Sequence, residues 1–480
     1  MPRVFSIFLL SIQESVNRGT QEKRSIYLHT FHPFLNPEYS GSNFFHPSIP
    51  LIDYNKNPLK NRKALILLLT ANIVSGIAQG ISMIAIPWYF AQQGALSYFV
   101  YFYILANCIS LFWVPFSGTL IDKYNRKTIF LCINAISAVI LGLITYYGYS
   151  QGQLNLWIVA SVFVMTMLNY SIHYPCLYAF VQEITPKEDY GKITSILEVQ
   201  GQSTSILGGA IAAVLMEGTK DGYFNIFGYK FNFGFEFQAL KIYDIFFLDF
   251  LTYIVALTII SFIFYVPLVI REVEHVNVYA RLKIGWDYLM NHKMILLFGV
   301  VSYIIFVCVL LEGFYLGALY VSAHLKASAV VYASSDIAYS IGALISGFSI
   351  RYIFKKLNIP ASLIILTFIT ALINFTLFAT NSVNLFYLML FGIGLCNAGS
   401  RILRVTYLFN NIPNQVFGRS ASIFNIANIL IRILLLSLFA TTFFHAGNNV
   451  IYAFLILSFL LIIAACIMIL NYKKFDLTIY

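Results

Sequence analysis

Charged side chains are scarce in this sequence. Asp, Glu, Lys and Arg make up 10% of its 480 residues, whereas 59% of the residues are hydrophobic and 17% are aromatic. A soluble domain contains about 25% charged residues and about 45–50% apolar ones. A soluble core of this size cannot bury such an apolar excess, so the composition indicates a polytopic membrane protein.

Sequence motifs of common enzyme classes are also missing. The chain has no GxxxxGK[ST] or HExxH segment, which removes support for ATP hydrolysis and zinc proteolysis. A GxSxG spacing occurs once, at residues 148–152, but it stands at the end of an apolar run and not in the strand-to-helix turn that a serine hydrolase requires. Its six cysteines all fall inside apolar runs without a CxxC or metal-ligand spacing. We therefore predict no enzyme activity, no metal site and no cofactor.

The excess of positive charge is distributed as expected for membrane topology. The net charge is +10, but the basic residues stand in short groups between apolar runs, not on one soluble face as nucleic-acid binding would require. We predict no nucleic-acid partner. The loops on one side carry eighteen Lys and Arg, against four on the other. The positive-inside rule then places both termini in the cytoplasm, with the chain in the plasma (inner) membrane.

Apolar runs of about 20 residues, each long enough to cross a bilayer as a helix, follow one another from residue 64 onward. The predicted fold is all-α, with twelve transmembrane helices in two six-helix bundles. The predicted spans are 64–92, 97–121, 128–149, 155–182, 194–216, 244–268, 294–320, 328–350, 359–380, 384–408, 420–443 and 450–471.

These spans define five regions. Residues 1–62 are mixed-polar. We predict that they form a disordered extension, or that they begin at an upstream start codon that is not used and so are not translated. Residues 63–270 form the first bundle, 271–293 a cytoplasmic linker, 294–471 the second bundle and 472–480 a tail. The aromatic loop at about 217–243 either packs over the outer mouth or lies in the membrane interface, and we expect the second arrangement.

The two halves repeat one another. Five residues at the start of the fifth span of the first half recur 227 residues later, at the start of the fifth span of the second half. The pairs are Pro186 and Pro413, Gly191 and Gly418, Lys192 and Arg419, Ser195 and Ser422, and Ile196 and Ile423. A second echo, Ser117-Gly118 and Ser346-Gly347, has an offset of 229. Duplicated halves predict a pseudo-twofold axis along the membrane normal and a substrate cavity between the halves, as in transporters.

The loop after the second span carries the most specific motif. Residues 118–128, Gly-Thr-Leu-Ile-Asp-Lys-Tyr-Asn-Arg-Lys-Thr, resemble the G-x-L-a-D-r-x-G-R-[RK] loop of the major facilitator superfamily. The matching residues are Gly118, Leu120, Asp122, Arg126 and Lys127. The resemblance covers residues 64–471 and implies that this loop latches the two halves together.

Each motif residue has an expected physical role. Gly118 would let two helices approach closely, and Asp122 would cap a helix N-terminus or pair with Arg126. Asn125 replaces the second glycine and tolerates a positive φ. We expect Glu198, about one turn into span five, to join this gate through Arg126 or Lys192.

Further segments resemble the exporter branch of this family, which includes siderophore and macrolide efflux proteins. They are Tyr174-Pro-Cys-Leu, the segment from Ile184 to Lys192, and the segment from Asn411 to Arg419. The proton-antiporter signature of span five is kept only in outline, with Gly208 conserved and Gly209 in the proline position. Span four lacks the arginine of many drug/proton antiporters.

Ionisable residues within the spans are costly and are therefore candidates for function. Glu312, near the centre of span seven, carries the coupling proton or pairs with an arginine; Asp249 and Asp336 are the other coupling candidates. Candidate cavity residues are Arg401, Arg404, Arg432, Gln79 and His173. Arg401 and Arg404 lie on one face and either hold an anionic substrate group or pair with Glu312 and Asp336.

Together these features predict a monomeric secondary transporter that exports a small drug- or siderophore-like solute across the lipid bilayer, driven by the proton gradient. The alternatives are a proton-coupled importer of a nutrient or iron chelate and a non-transporting receptor or scaffold. The sequence does not distinguish the substrate or the direction.

Overall fold

The computed structural model describes residues 58–186, 189–219, 222–227, 229–232, 234–268, 278–354 and 357–477. Within these ranges, twelve helices are long and apolar enough to cross a membrane, which confirms the predicted fold class. They are α1 Pro58–Gln92, α2 Leu96–Lys123, α3 Arg126–Gln151, α4 Leu156–Ile184, α5 Tyr190–Glu217, α6 Ile242–Ser261, α7 Lys293–His324, α8 Ala329–Ile353, α9 Ile359–Ala379, α10 Val383–Asn411, α11 Asn414–Phe439 and α12 Ile451–Leu470.

Three span boundaries differ from the prediction by six or seven residues, and one of them is the start of α11, which lies at Asn414 and not at residue 420. Helix α1 begins at Pro58, so residues 58–62 are helical, and proline suits the first helical position because its missing N–H needs no partner there. The rest of the predicted extension lies outside the described residues. Helix α6 ends at Ser261, not at residue 268, because the Asn61 side chain pairs with both backbone groups of Val266 at 2.9 Å and holds that segment extended.

The linker between the halves contains a helix. Residues 271–277 lie outside the described ranges, but Val278–Asn291 is helical and packs on α11. A Cβ on Gly285 would lie 2.6 Å from the Arg419 carbonyl, so glycine permits this close approach. The linker is thereby attached to the second half.

Helix packing repeats between the halves. Helix α2 packs on α4 and α3 on α6, while α8 packs on α10 and α9 on α12. These pairs correspond when the helix number is shifted by six. Helices α8 and α10 approach most closely, because a Cβ on Gly394 would lie 1.9 Å from the Tyr339 carbonyl oxygen.

The two halves meet through α5 against α8 and α2 against α11. We call the side with the α2–α3 and α4–α5 loops the basic side, and the side with the α5–α6 connection the hairpin side. Trp88 near the end of α1 stacks on Tyr332 of α8 with ring centroids 5.8 Å apart. A Cβ on Gly209 of α5 would lie 3.1 Å from the Ala333 carbonyl oxygen of α8. The halves are therefore closed on the hairpin side.

The α5–α6 connection contains strands, whereas the sequence predicts a loop that lies in the membrane interface. Strand β1 Gly218–Thr219 pairs with β4 Phe237–Gln238, and β2 Tyr223–Ile226 pairs with β3 Tyr229–Asn232, both antiparallel. The Phe227 ring at the turn packs edge-on against Tyr387 of α10, with centroids 4.8 Å apart. Alternation of aromatic and polar residues favours strands here. Through the Phe227 ring, this connection of the first half packs on the second half.

Candidate functional site

The motif loop fastens the basic side of the first half. Asn125 has φ −64°, not the predicted positive value, and its side-chain oxygen accepts hydrogen bonds from the N–H groups of Lys127 and Thr128. It is thus the N-cap of α3. Its amide also donates to the Tyr265 hydroxyl at 3.0 Å, and Lys127 Nζ donates to the Ser261 carbonyl at 2.9 Å.

Arg126 forms a buried ion pair with Glu183 at the end of α4, their side chains being 13% and 7% exposed. Tyr265 Oη donates to the same carboxylate at 3.4 Å. This pair joins α3 and α4, so Arg126 does not engage Glu198 as predicted. The ion pair holds the first half together near the motif loop.

We expect Arg126→Met to destabilise the protein by about 3 kcal/mol, because it leaves a buried carboxylate without its cation. The double variant Arg126→Met/Glu183→Met should regain much of this loss. Denaturant or thermal unfolding of the detergent-solubilised protein measures both effects, with Lys127→Met, a neighbouring partly exposed cation, as the matched control. A double variant as unstable as the single one would contradict the pairing.

Gly118 does not mediate close packing in this structure. A Cβ on Gly118 would meet no atom within 4 Å, and the same holds for its repeat partner Gly347 on α8. Leu120 packs against the apolar cluster of the first half, while the Asp122 side chain lies outside the described part of the chain. Both repeated glycines thus face open space, and neither one closes a helix contact in this structure.

Glu198 pairs with Arg401 across the halves, while the side chain of Lys192, its other predicted partner, lies outside the described part of the chain. Arg401 Nη2 donates to Glu198 Oε2 at 2.6 Å, and Tyr178 Oη donates to Oε1 at 3.0 Å. Both ionic side chains are about two-fifths exposed, at 43% and 41%. Water screens such a pair, so it can break when the halves separate on the basic side.

A cavity of about 270 Å³ lies between the halves. Most of its wall is aliphatic and aromatic, with two acids, Glu312 of α7 and Asp336 of α8. Helices α1, α4, α5, α7, α8, α9, α10 and α12 all contribute lining residues. The aromatic and serine residues that line it are Tyr170, Ser205, Phe306, Phe314, Tyr332, Ser335, Tyr339, Phe386 and Phe454.

Glu312 begins one of two π-helical turns in α7, Glu312–Leu316 and Tyr320–His324. Such turns occur frequently at functional sites because they re-aim side chains. Both carboxyl oxygens are buried without a hydrogen-bond partner, although the Asn374 amide lies nearby. The predicted arginine partner is therefore not found among the described residues.

Asp336 connects the cavity to the contact between the halves. Its Oδ2 accepts a hydrogen bond from Ser205 Oγ of α5 at 2.9 Å. Because Gly209 lies one turn further along α5, against Ala333, the carboxyl group belongs both to the cavity wall and to the closed α5–α8 contact.

The three arginines do not line this cavity. Arg404 Nη1 donates to the Ser302 carbonyl at 2.9 Å, and its guanidinium lies 3.8 Å from the centroid of the Tyr303 ring. Arg432 is buried near the Tyr103 hydroxyl. Arg401 pairs with Glu198. The predicted alternative, in which Arg401 and Arg404 form ion pairs with Glu312 and Asp336, is therefore wrong.

A separate polar network fills the first half. Asp249 accepts from Ser82 Oγ and Gln79 donates to Tyr253 Oη, both at 2.9 Å, which joins α1 to α6. His173 bonds to Asn72 at 2.7 Å, and its ring packs edge-on against Phe130. Gln79, His173 and Asp249 are buried and lie outside the cavity lining.

A histidine outside the spans joins two elements of the second half on the hairpin side. His445 Nε2 lies 2.8 Å from the Tyr315 hydroxyl, which also donates to the Phe439 carbonyl. Burial lowers the pKa of His445 below its ordinary value, so the neutral imidazole is favoured at neutral pH. This contact attaches α7 to the α11–α12 connection.

Several residues of the cavity wall were not predicted from the sequence. Ser205, Tyr332 and Tyr339 are common types within apolar helices and gave no signal in isolation. The sequence Glu312-Gly-Phe-Tyr-Leu-Gly did contain one, because two glycines in the five residues after an acid weaken a regular helix. A Cβ on Gly317 would lie 2.6 Å from the Glu312 carbonyl oxygen.

A sequence model described as Major Facilitator Superfamily matches residues 68–434. No curated protein matches the sequence. Solved transporters of low sequence identity share the fold. The nucleoside transporter NupG aligns with a TM-score of 0.62 at 11% identity, over 85% of this chain and 99% of its own.

Two further structures are similar. A D-xylose-proton symporter has a TM-score of 0.62 at 12% identity, over 85% of this chain and 97% of its own. An inward-facing bacterial homologue of the iron transporter ferroportin has a TM-score of 0.61 at 13% identity, over 84% and 99%. At these identities the likeness establishes the fold alone, without a substrate or a direction.

Proposed function

We propose that this chain, which belongs to the Major Facilitator Superfamily and is thus a multi-pass membrane transporter and not an enzyme, exports a small organic solute in exchange for protons. The observation that carries the proposal is Glu312, a residue of the cavity wall between the halves whose two buried carboxyl oxygens have no hydrogen-bond partner among the described residues. An acid in this position can bind a proton and substrate alternately.

The environment of Glu312 explains how a proton would influence the cavity. A carboxylate without a counter-charge is costly inside a membrane protein, so entry of water or a cation would favour the charged form and closure of the cavity would favour the protonated form. Binding of a proton and binding of a cationic substrate would then exclude each other. That exclusion is the requirement for antiport.

Asp336 supplies a route from cavity chemistry to conformational change. Its carboxyl group accepts from Ser205 across the α5–α8 contact, and hydrogen bonds to a charged acceptor are roughly twice as strong as neutral ones. A change in the charge of Asp336 would change the strength of the contact that closes the hairpin side. Glu312 would thus take the coupling proton and Asp336 would influence the gate.

The cavity chemistry supports a neutral or cationic amphipathic substrate. Its wall combines aromatic rings with two acids, and no arginine lines it among the described residues. A cationic substrate has the opposite charge to a carboxylate-bearing substrate, which two unpaired arginines in the cavity would favour. Export is proposed because of the resemblance to the efflux branch in the loops before α5 and α11.

Charge distribution supports the proposed topology. If the basic side faces the cytoplasm, both termini are cytoplasmic and the hairpin side, closed by the α5–α8 contact, faces outward. In the plasma (inner) membrane this is the state that receives a solute for export. We expect the protein to act as a monomer, driven by the proton gradient without a cofactor.

Ethidium, a fluorescent amphipathic cation, tests the function in cells with and without this protein. We expect faster loss of ethidium from cells that contain it and collapse of the difference on addition of a protonophore. A panel that includes metal-chelating metabolites covers other substrates. Gradient-dependent gain of a compound would identify an importer, and equal accumulation throughout the panel would reject the proposal.

A further inference from the structure

A second cavity of about 420 Å³ lies on the hairpin side. It is separate from the central cavity: Val330 and Val331 of α8 line it, whereas the next residue, Tyr332, lines the central one. The stacked pair of Trp88 and Tyr332 stands at this division. We name this space the vestibule.

The hairpins of the α5–α6 connection form one wall of the vestibule. Gly218, which ends α5, has φ +76°, and a Cβ there would lie 2.5 Å from the Phe237 carbonyl oxygen. Thr219 Oγ1 donates to the Phe235 carbonyl at 2.9 Å and accepts from the Phe237 N–H at 3.0 Å. These contacts fix the chain direction immediately after Glu217.

The vestibule combines a carboxylate with aromatic rings. Glu217, Tyr223, Phe227 and Tyr387 all line it, and Phe227 packs edge-on against Tyr387. Glu217 has no ion-pair partner among the described residues. It also stands in the last turn of α5, where the helix dipole disfavours a negative charge. Glu217 is exposed and solvated, and a bound cation would offset the unfavourable interaction with the helix dipole.

From this arrangement we propose that the vestibule is a binding site for an organic ammonium cation. The Glu217 carboxylate would supply the charge, and the faces of Tyr223 and Tyr387 would contact the alkylated ammonium group through cation–π attraction. Asn384, also in the lining, offers a hydrogen bond to a polar substituent. The site goes beyond the proposed function, since binding there needs neither proton coupling nor transport.

Choline and dimethylbutanol, its uncharged isostere, test this site on the purified full chain in nanodiscs. Saturation-transfer NMR titration should give binding of choline in the millimolar range or tighter and markedly weaker binding of the isostere. Glu217→Gln should weaken choline binding by roughly tenfold, and Tyr387→Leu should weaken it several-fold. Unfolding temperatures verify that these variants fold.

Two variants locate the site. Glu236→Gln removes another exposed hairpin carboxylate outside the vestibule lining and should leave the affinity unchanged. Glu312→Gln, in the central cavity, reports any choline that binds there instead. Wild-type affinity in Glu217→Gln, equal binding of the isostere, or no binding of choline would overturn the inference. Loss of binding only in Glu312→Gln would also overturn it while supporting a central substrate site.

Discussion

The Glu312→Gln variant should lose ethidium transport driven by a pH gradient, to the level of protein-free liposomes, while ethidium exchange at equal concentrations continues. Glutamine has nearly the same shape as a protonated glutamate but cannot release a proton. Because neither Glu312 oxygen has a hydrogen-bond partner in the part of the chain that the structure describes, the substitution should not break a structural contact. Reconstituted proteoliposomes measure both activities.

Asp249→Asn is the matched control. Asp249 is also a buried acid within a spanning helix, but it bonds to Ser82 in the first half and does not line the central cavity. This variant should keep gradient-driven transport. An unaltered pH dependence in Glu312→Gln would remove Glu312 from coupling, and loss of coupling in Asp249→Asn alone would move the proton site to the α1–α6 network.

A disulfide between α5 and α8 should abolish all transport, including exchange. In the pair Gly209→Cys and Ala333→Cys, the new side chains would lie where the backbones already meet, since a Cβ on Gly209 is 3.1 Å from the Ala333 carbonyl oxygen. Oxidation would keep the hairpin side closed, and alternating access requires that side to open.

Transport after oxidation and after reduction with dithiothreitol measures this effect in liposomes. The reduced protein should transport, the oxidised protein should not, and each single cysteine variant should be insensitive to oxidation. The native cysteines, all free, are present in every variant and act as an internal control. Undiminished transport by a fully cross-linked protein would show that the α5–α8 contact does not need to open.

Features that depend on local composition were predictable from the sequence. The twelve spans follow from the length of apolar chain that a bilayer requires, and the repeat at residues 186–196 and 413–423 indicated two bundles. Helix ends were less predictable, because the end of α6 depends on Asn61, which is 205 residues away from Val266.

The partners of the charged residues could not be predicted in the same way. Arg126 pairs with Glu183, 57 residues away, and Glu198 pairs with Arg401, 203 residues away. Several acids and bases were available within the spans, and only the helix packing selects among them. Glu312 was identified as a candidate because its segment contains no cation, and the structure adds the cavity and the π-helical turn.

Proton movement caused by substrate is the most direct test of coupling through Glu312. Purified protein is reconstituted in liposomes that contain the pH-sensitive dye pyranine, and ethidium is added outside without a preformed pH gradient. The wild type should move protons in the direction opposite to ethidium, and Glu312→Gln should move none. Ethidium uptake by the wild type without a change in pyranine fluorescence, or equal proton movement in both proteins, would contradict proton-coupled antiport through Glu312.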